Sequence, residues 1–445
     1  MIFTKLISTV FLFFKKLIKN PNYIESVNTL ALRVFGIISL FGFTIYITNE
    51  YPIDIVGEYD FVRTYLLVVG CICMLGTDQS ILYFAGFLRS QNDIISIKML
   101  YTRIIIMISI CSLFVTFVFV LVGHNAIFAF FKDAAIYDVL LKSNFVVIFY
   151  AVTLFNTEVI RALDNIYLSE LFRNIFKYLS VIIGSVILSI LHKEKYLVDV
   201  FLFGFVMLAI ISSIVVVFKF SKINHSLKIN YNIEHLSCNS VLQKSFPIAI
   251  SSSAIFLLST FDIFFLKIHF GNAEVAKYSV GLKMMTIIAM IIQMVNVNAS
   301  SKIAKLFADR DFNALQSTVK TAVRITTVFS IFVVIAICIS SRFILSLFGS
   351  AYQEAKYSML ILVLCQGISS LFGVSLMYLN MTGRQNLFQY LLIFAVIINF
   401  CLNYFFTSSI GMIGAATSFA VTLLFWNSFV AYYVFKTDKI KIYLH

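Results

Sequence analysis

The chain has 445 residues, 60% of them hydrophobic and 12% charged, with a mean hydropathy of +0.96. No soluble domain hides that much apolar surface, so the composition excludes a soluble protein and defines a polytopic membrane protein. The net charge of +13 would suggest a nucleic-acid partner in a soluble chain. Here it is expected from cationic loops at the cytoplasmic face, with some excess available to an anionic substrate, and no nucleic acid is expected.

Three prolines against 48 phenylalanines suit long helices, and the short alternating runs of a membrane barrel are absent. Residues 1–20 carry Lys5, Lys15, Lys16 and Lys19 on one side of a helical wheel, with Phe3, Leu6, Val10 and Phe13 away from them. This predicts an interfacial amphipathic helix. A cleaved signal peptide is the alternative, but no small-residue cleavage site follows.

Twelve apolar spans follow, near 29–48, 61–83, 104–123, 139–158, 174–191, 198–218, 246–266, 279–299, 322–340, 357–378, 387–407 and 411–435. The longest polar segment, Ser221–Lys244, separates the sixth span from the seventh. The expected fold is therefore all-α: an N-terminal six-helix lobe over 21–220, a cytoplasmic linker over 221–244, a C-terminal six-helix lobe over 245–435 and a cytoplasmic tail over 436–445. Pro247 is expected in the first turn of the seventh helix, where a missing N–H costs nothing. Asp262 is the one charge in that span, and a lone carboxylate at such depth should face protein or water. Lys267, five residues on, is a candidate partner, though offset by about 140° around the helix.

Basic residues concentrate in 1–33, 84–103, 159–177, 219–244, 300–324, 379–386 and 436–445, which puts those segments and both termini in the cytoplasm. Lys193 and Lys195 run against the pattern. The seven cysteines lie mostly inside apolar runs. Cys71 and Cys73, the one close pair, point to different sides of a helix and suit packing rather than a disulfide or a metal. The histidines show no ligand spacing.

There is a faint internal repeat. VGEYDFVRTYLLVV from Val56 resembles VAKYSVGLKMMTII from Val275, and SQNDIISI from Ser90 loosely matches ADRDFNAL from Ala308. Six spans plus six related in this way are parallel repeats about an axis along the membrane normal.

Several short motifs occur in an order that resembles the O-antigen flippases among the polysaccharide transporters of the multidrug/oligosaccharidyl-lipid/polysaccharide (MOP) flippase superfamily. Asn28–Gly36 resembles that family's Arg-containing first helix, and Gly57-Glu58-Tyr59 its turn before helix two. Gly76 with Thr77-Asp78-Gln79 resembles the end of that helix, and Arg161-Ala162 the Arg-Ala pair after helix four. Pro247 and Asp262 resemble the Pro and Asp of helix seven, and Lys302-Ile303-Ala304 with Asp311 a Pro-Lys-Ile segment and its later Asp. Gly349, Tyr352 and Ala355 resemble a turn before helix ten. Ser301 stands where the family often has proline, and Ala276-Lys277 precede Tyr278 in place of Gly-x. The likeness covers about residues 25–435.

The resemblance implies a MATE-like fold. It also implies translocation of an oligosaccharide linked to undecaprenyl pyrophosphate, such as an O-antigen repeat unit, to the outer leaflet of the bacterial inner membrane. A monomer without cofactor is expected, alongside other polysaccharide-assembly membrane proteins, with H+ or Na+ as the coupling ion. Carrying a pyrophosphate across a low-dielectric layer calls for basic side chains in a polar cleft. The candidates are Lys283, Arg63, Arg33 and Arg161, with Asp262 for the ion. Each has a plainer reading. Arg33 and Arg63 suit snorkelling to headgroups, and Glu158, Arg161 and Asp164 suit an ion-pair network that fixes a loop, with Asp78 similar. Tyr59, Tyr65, Tyr83, Tyr150, Tyr378 and Tyr404 are candidates to stack on sugars or to mark interfaces. The rival readings are a drug or cation exporter of the same superfamily and, in another class, a polysaccharide polymerase or ligase. The latter would carry a large outer loop, which this chain lacks. No ATP-binding Gly-rich loop is present, so an ion or substrate gradient is the expected energy source.

Overall fold

The computed structural model describes residues 21–90, 95–222 and 238–445, and every regular element among them is helical. The expected amphipathic helix over 1–20 and most of the linker lie outside the described residues. Among the described residues, ten helices are long and apolar enough to cross a membrane. They include α1 (Pro21–Glu50), α4 (Ile95–Phe131), α5 (Ile136–Ala162), α6 (Ile166–Ile190) and α7 (Leu197–Ser221). The second part of the chain adds α8 (Cys238–Phe270), α9 (Asn272–Ala308), α10 (Phe312–Ile339), α11 (Ser350–Phe372) and, after the short α12 (Ser375–Met381), α13 (Gln385–Asp438).

An eleventh span is broken. α2 (Ile53–Met74) and α3 (Thr77–Ser90) meet at 42°, where Leu75 and Gly76 both take positive φ and the Thr77 hydroxyl donates to the freed Met74 carbonyl at 2.6 Å. The twelfth is hidden inside α13. At 54 residues a straight α13 would be about 80 Å long, far beyond a bilayer. Its helical angles fail at Ile410 and Gly411, the latter at φ 58 and ψ −133, a backbone conformation open to glycine. Asn399 Nδ2 then donates to Thr422 Oγ1 at 3.5 Å across 23 residues, a contact only a reversed chain can make. α13 is therefore a hairpin of two antiparallel spans, in agreement with the predicted break between 407 and 411.

The helices outrun the apolar spans that announced them. α8 begins at Cys238, so Pro247 lies inside the helix rather than in its first turn; its own carbonyl accepts from Gln389 Nε2 at 3.0 Å. α9 begins at Asn272 and α2 at Ile53, which puts Lys283 and Arg63 about three turns in rather than one. Polar residues end a hydropathy run without ending a helix, because backbone hydrogen bonding continues wherever water or protein receives the side chains. Asp311 shows the opposite case, a real terminus: its carboxylate accepts the Ala314 N–H at 3.0 Å and caps α10.

The described residues pack as two compact units. One comprises those of Met1–Tyr46, Cys73–Phe114 and Phe145–Ser245; the other comprises Ile47–Ile72, Val115–Asn144 and Phe246–His445. In the first, Tyr150 packs on Phe205 with ring centroids 4.6 Å apart, and Tyr101 donates to Asn156 Oδ1 at 3.0 Å. The second has two apolar cores. One gathers Leu258, Ile303, Leu315, Tyr378, Phe388 and Val430; the other gathers Phe61, Phe131, Leu140, Leu266, Tyr278 and Phe419. The second core seats the N-terminal part of α2 against the end of α4 and against α8, through edge-to-face contacts of Phe61 with Phe131 and Phe264.

Candidate functional site

Lys283 and Arg63 come together on one carboxylate. A Cβ built on Gly57 would stand 1.8 Å from the Asn272 carbonyl oxygen. Only glycine lets α2 approach the start of α9 so closely, and one turn further on that approach sets Asp60 beside Lys283. Lys283 Nζ donates to Asp60 Oδ1 and Oδ2, both at 3.0 Å, and Arg63 Nε lies 3.4 Å from Oδ1. Asp60 is 0% exposed and Lys283 4%. Burying an ion pair is tolerable only with close geometry and further hydrogen bonds. Two cations here share the Asp60 carboxylate. The turn Ser350–Ala355 at the start of α11, which carries the buried Tyr352, packs against α9. Asp60 was legible only as part of the repeat segment. Its position three residues before Arg63, on the same helical face, was the available signal.

Asp262 is fully buried in the same unit. Tyr278 Oη donates to its Oδ2 at 2.6 Å and Asn403 Nδ2 to its Oδ1 at 2.9 Å. Asn403 Oδ1 in turn accepts from the Thr407 hydroxyl at 2.6 Å, and Asn403 Nδ2 also reaches Asn399 Oδ1 at 3.2 Å. Lys267 is not its partner. The helical offset turns Lys267 to another face, where its ammonium donates to Asp133 Oδ2 at 2.6 Å and Asn272 Oδ1 at 2.7 Å. Asp262 thus lies among neutral oxygen-bearing groups from α8, α9 and α13. That set suits a proton or a small hard cation; among the described residues no group of three His, Cys, Asp or Glu side chains gathers as a metal site.

Arg33 and Arg161 belong to the other unit. Arg33 forms a two-pronged pair with the buried Glu170, Nε to Oε2 at 3.2 Å and Nη2 to Oε1 at 2.7 Å, and Asn174 Nδ2 adds a third bond to Oε2 at 2.7 Å. This is a fixed ion pair rather than a headgroup contact. Glu158 pairs with Arg173, while Arg161 and Asp78 act on it through their charges. The expected network around Glu158 therefore recruits α6. Arg173 and Asn174 both sit on a π-turn, Phe172–Phe176, and such turns re-aim side chains in a way no sequence periodicity displays. Of the tyrosines, Tyr59, Tyr150 and Tyr378 are buried, while Tyr83 and Tyr404 are exposed.

Residues 247–405 match the MatE family model. The inward-facing structure of a multidrug resistance MATE family transporter of the MOP superfamily superposes with a TM-score of 0.67 at 12% identity, over 93% of this chain and 99% of that one. Lipid II flippase MurJ, in an inward closed conformation, gives a TM-score of 0.70 at 12% identity, over 92% of this chain and 87% of that one. A MOP superfamily transporter from Pyrococcus furiosus gives 0.62 at 13% identity, over 93% of each chain. No curated protein sequence matches the chain. The fold is MATE-like, in a multi-pass membrane protein. Identities this low establish the fold and leave the substrate to be argued from the chain's own residues.

Proposed function

We propose that this protein is an alternating-access transporter of the MOP type that flips an anionic lipid-linked oligosaccharide, carried on undecaprenyl pyrophosphate, from the cytoplasmic to the outer leaflet of a bacterial inner membrane. An O-antigen repeat unit is the expected cargo, and both termini are cytoplasmic. The observation that carries the reading is the pairing of Lys283 with Arg63 on a single carboxylate, well inside α9 and α2. Cationic side chains between low-dielectric walls attract a passing pyrophosphate, and single Lys and Arg contacts release it again. Translocation makes and breaks no covalent bond. Two six-helix lobes, 21–220 and 245–435, move about the 221–244 linker, and the prenyl tail stays in lipid. Asp262, with Tyr278, Asn403 and Thr407, takes H+ or Na+ and couples its gradient to the cycle.

The test is flipping of a fluorescent lipid-linked glycan in proteoliposomes at matched protein levels. Lys283→Ala should slow it strongly. Lys283→Arg should keep partial rate, because the charge stays while three rotatable donors become a planar fork, and Lys283→Glu should be worst. Wild-type rates in both the Ala and Glu variants would remove the basic site. The second reading, a drug or cation exporter, is favoured by one observation, the buried acid Asp262. Export of organic cations by a protein that flips no glycan would establish it.

A further inference from the structure

The Lys283 cluster holds more donors than Asp60 uses. Among the described residues, Tyr352 Oη and Ser279 Oγ are buried without a hydrogen-bond partner, and the two residues are 2% and 0% exposed. Ser279 stands one turn before Lys283 on the same face of α9, and Tyr352 lies on the turn Ser350–Ala355, which packs against α9. Leaving a buried hydroxyl unbonded costs about 1–3 kcal/mol. A carboxylate has two oxygens, both already taken by Lys283. The pyrophosphate of a lipid-linked glycan, esterified on both sides, offers more non-bridging oxygens, spread over both phosphoryl groups, and a higher charge. The donor set fits that group better than it fits the carboxylate now within it.

We infer that Asp60 is a displaceable internal counter-anion: it occupies the Lys283–Arg63–Tyr352–Ser279 anion site when substrate is absent, and the pyrophosphate of the cargo competes it out. The inference rests on the flippase reading and adds a consequence. Asp60 rides on α2, which is held to α9 at Gly57 and Asn272, so removing its bond to Lys283 loosens that contact. Binding of the anion thereby favours parting of these helices at the end assigned to the outside. Return of Asp60 to Lys283 evicts the anion and closes the helices again.

The probe is inorganic pyrophosphate, titrated by calorimetry into the purified full chain in nanodiscs. If the anion-competent state is populated at about 1–10%, removing the competitor tightens apparent affinity about 10- to 100-fold. Asp60→Asn should show that gain, and Asp60→Asn with Lys283→Ala should lose it. Tyr352→Phe and Ser279→Ala leave the ion pair intact and should each weaken pyrophosphate binding several-fold without lowering Tm. They decide the matter even if Asp60→Asn does not fold. Unchanged affinity in Asp60→Asn, a gain that survives loss of Lys283, or wild-type binding in both hydroxyl variants overturns the inference. Tighter pyrophosphate binding by a protein that flips no glycan leaves the inference standing and removes the substrate reading instead.

Discussion

Among the described residues two neutral side chains, Tyr278 and Asn403, donate to Asp262, so each has a distinct and measurable weight. Tyr278→Phe removes the 2.6 Å bond to Oδ2 without changing the ring's packing. The carboxylate oxygen left behind is buried, and the expected loss is about 1–3 kcal/mol, read as a lower Tm in detergent. Asp262→Asn should behave differently. It preserves the shape and one acceptor, so the protein should remain folded, but flipping should no longer respond to an imposed H+ or Na+ gradient. Gradient response unchanged in that variant would make Asp262 a structural residue. Both Asp262 and Lys283 stood out in the sequence because a lone charge in an apolar run is conspicuous. Their partners did not. Asn403 is 141 positions from Asp262, and Asp60 is 223 from Lys283. An Asn or an acid near a helix end carries no mark of which distant helix it will meet.

At the scale of helices, the turn between α4 and α5 is tied to the end of α8 by Asp133 and Lys267. Partial burial raises the Asp133 carboxyl, but the hydrogen bond and charge of Lys267, with the Ala135 and Ile136 N–H groups, outweigh it and hold the group below its ordinary 3.8. A depressed folded value means the tie contributes fully above the ordinary value and is lost as pH falls through the lowered one. The Tm difference between wild type and Asp133→Asn should therefore be constant above about pH 5 and shrink toward pH 3; a difference that grows on acidification would contradict the pairing. Gly57→Val tests the neighbouring contact. Its added carbons meet the Asn272 carbonyl, so α2 must move away from α9; Tm should fall, and flipping should slow along with it. Hydropathy marked all twelve spans, including both legs of α13, because burial in lipid selects apolar runs directly. Helix ends, the 42° bend between α2 and α3 and the π-turn that aims Arg173 depend on local backbone angles and tertiary contacts, which composition does not encode.

For the whole molecule the sharpest claim is sidedness, and two independent arguments bear on it. The distribution of Lys and Arg assigns Asn125 and Gly271 to the outside and Ser90, Ser240 and Arg384 to the cytoplasm. Ion pairs add a constraint that owes nothing to that bias. Because Lys267 reaches Asp133 at 2.6 Å, the turn after α4 and the α8–α9 turn at Gly271 must share one side of the membrane. Because Arg384 grips Asp438 at 2.5 Å, the start and the end of the α13 hairpin must share a side too, as two antiparallel spans require. Asn49 Nδ2, donating to the Leu347 carbonyl at 2.8 Å, likewise puts the end of α1 level with the turn before α11. Single cysteines at Asn125, Gly271, Ser240 and Arg384, on a background without the native cysteines, should therefore separate cleanly. In intact cells an impermeant maleimide should modify the first two and spare the last two until the membrane is opened. Labelling of Gly271 and Arg384 from the same side would contradict the three spans α9, α10 and α11 that separate them. Labelling of Ser240 from outside would break the six-plus-six arrangement, and with it the repeat that relates the segment from Val56 to the segment from Val275.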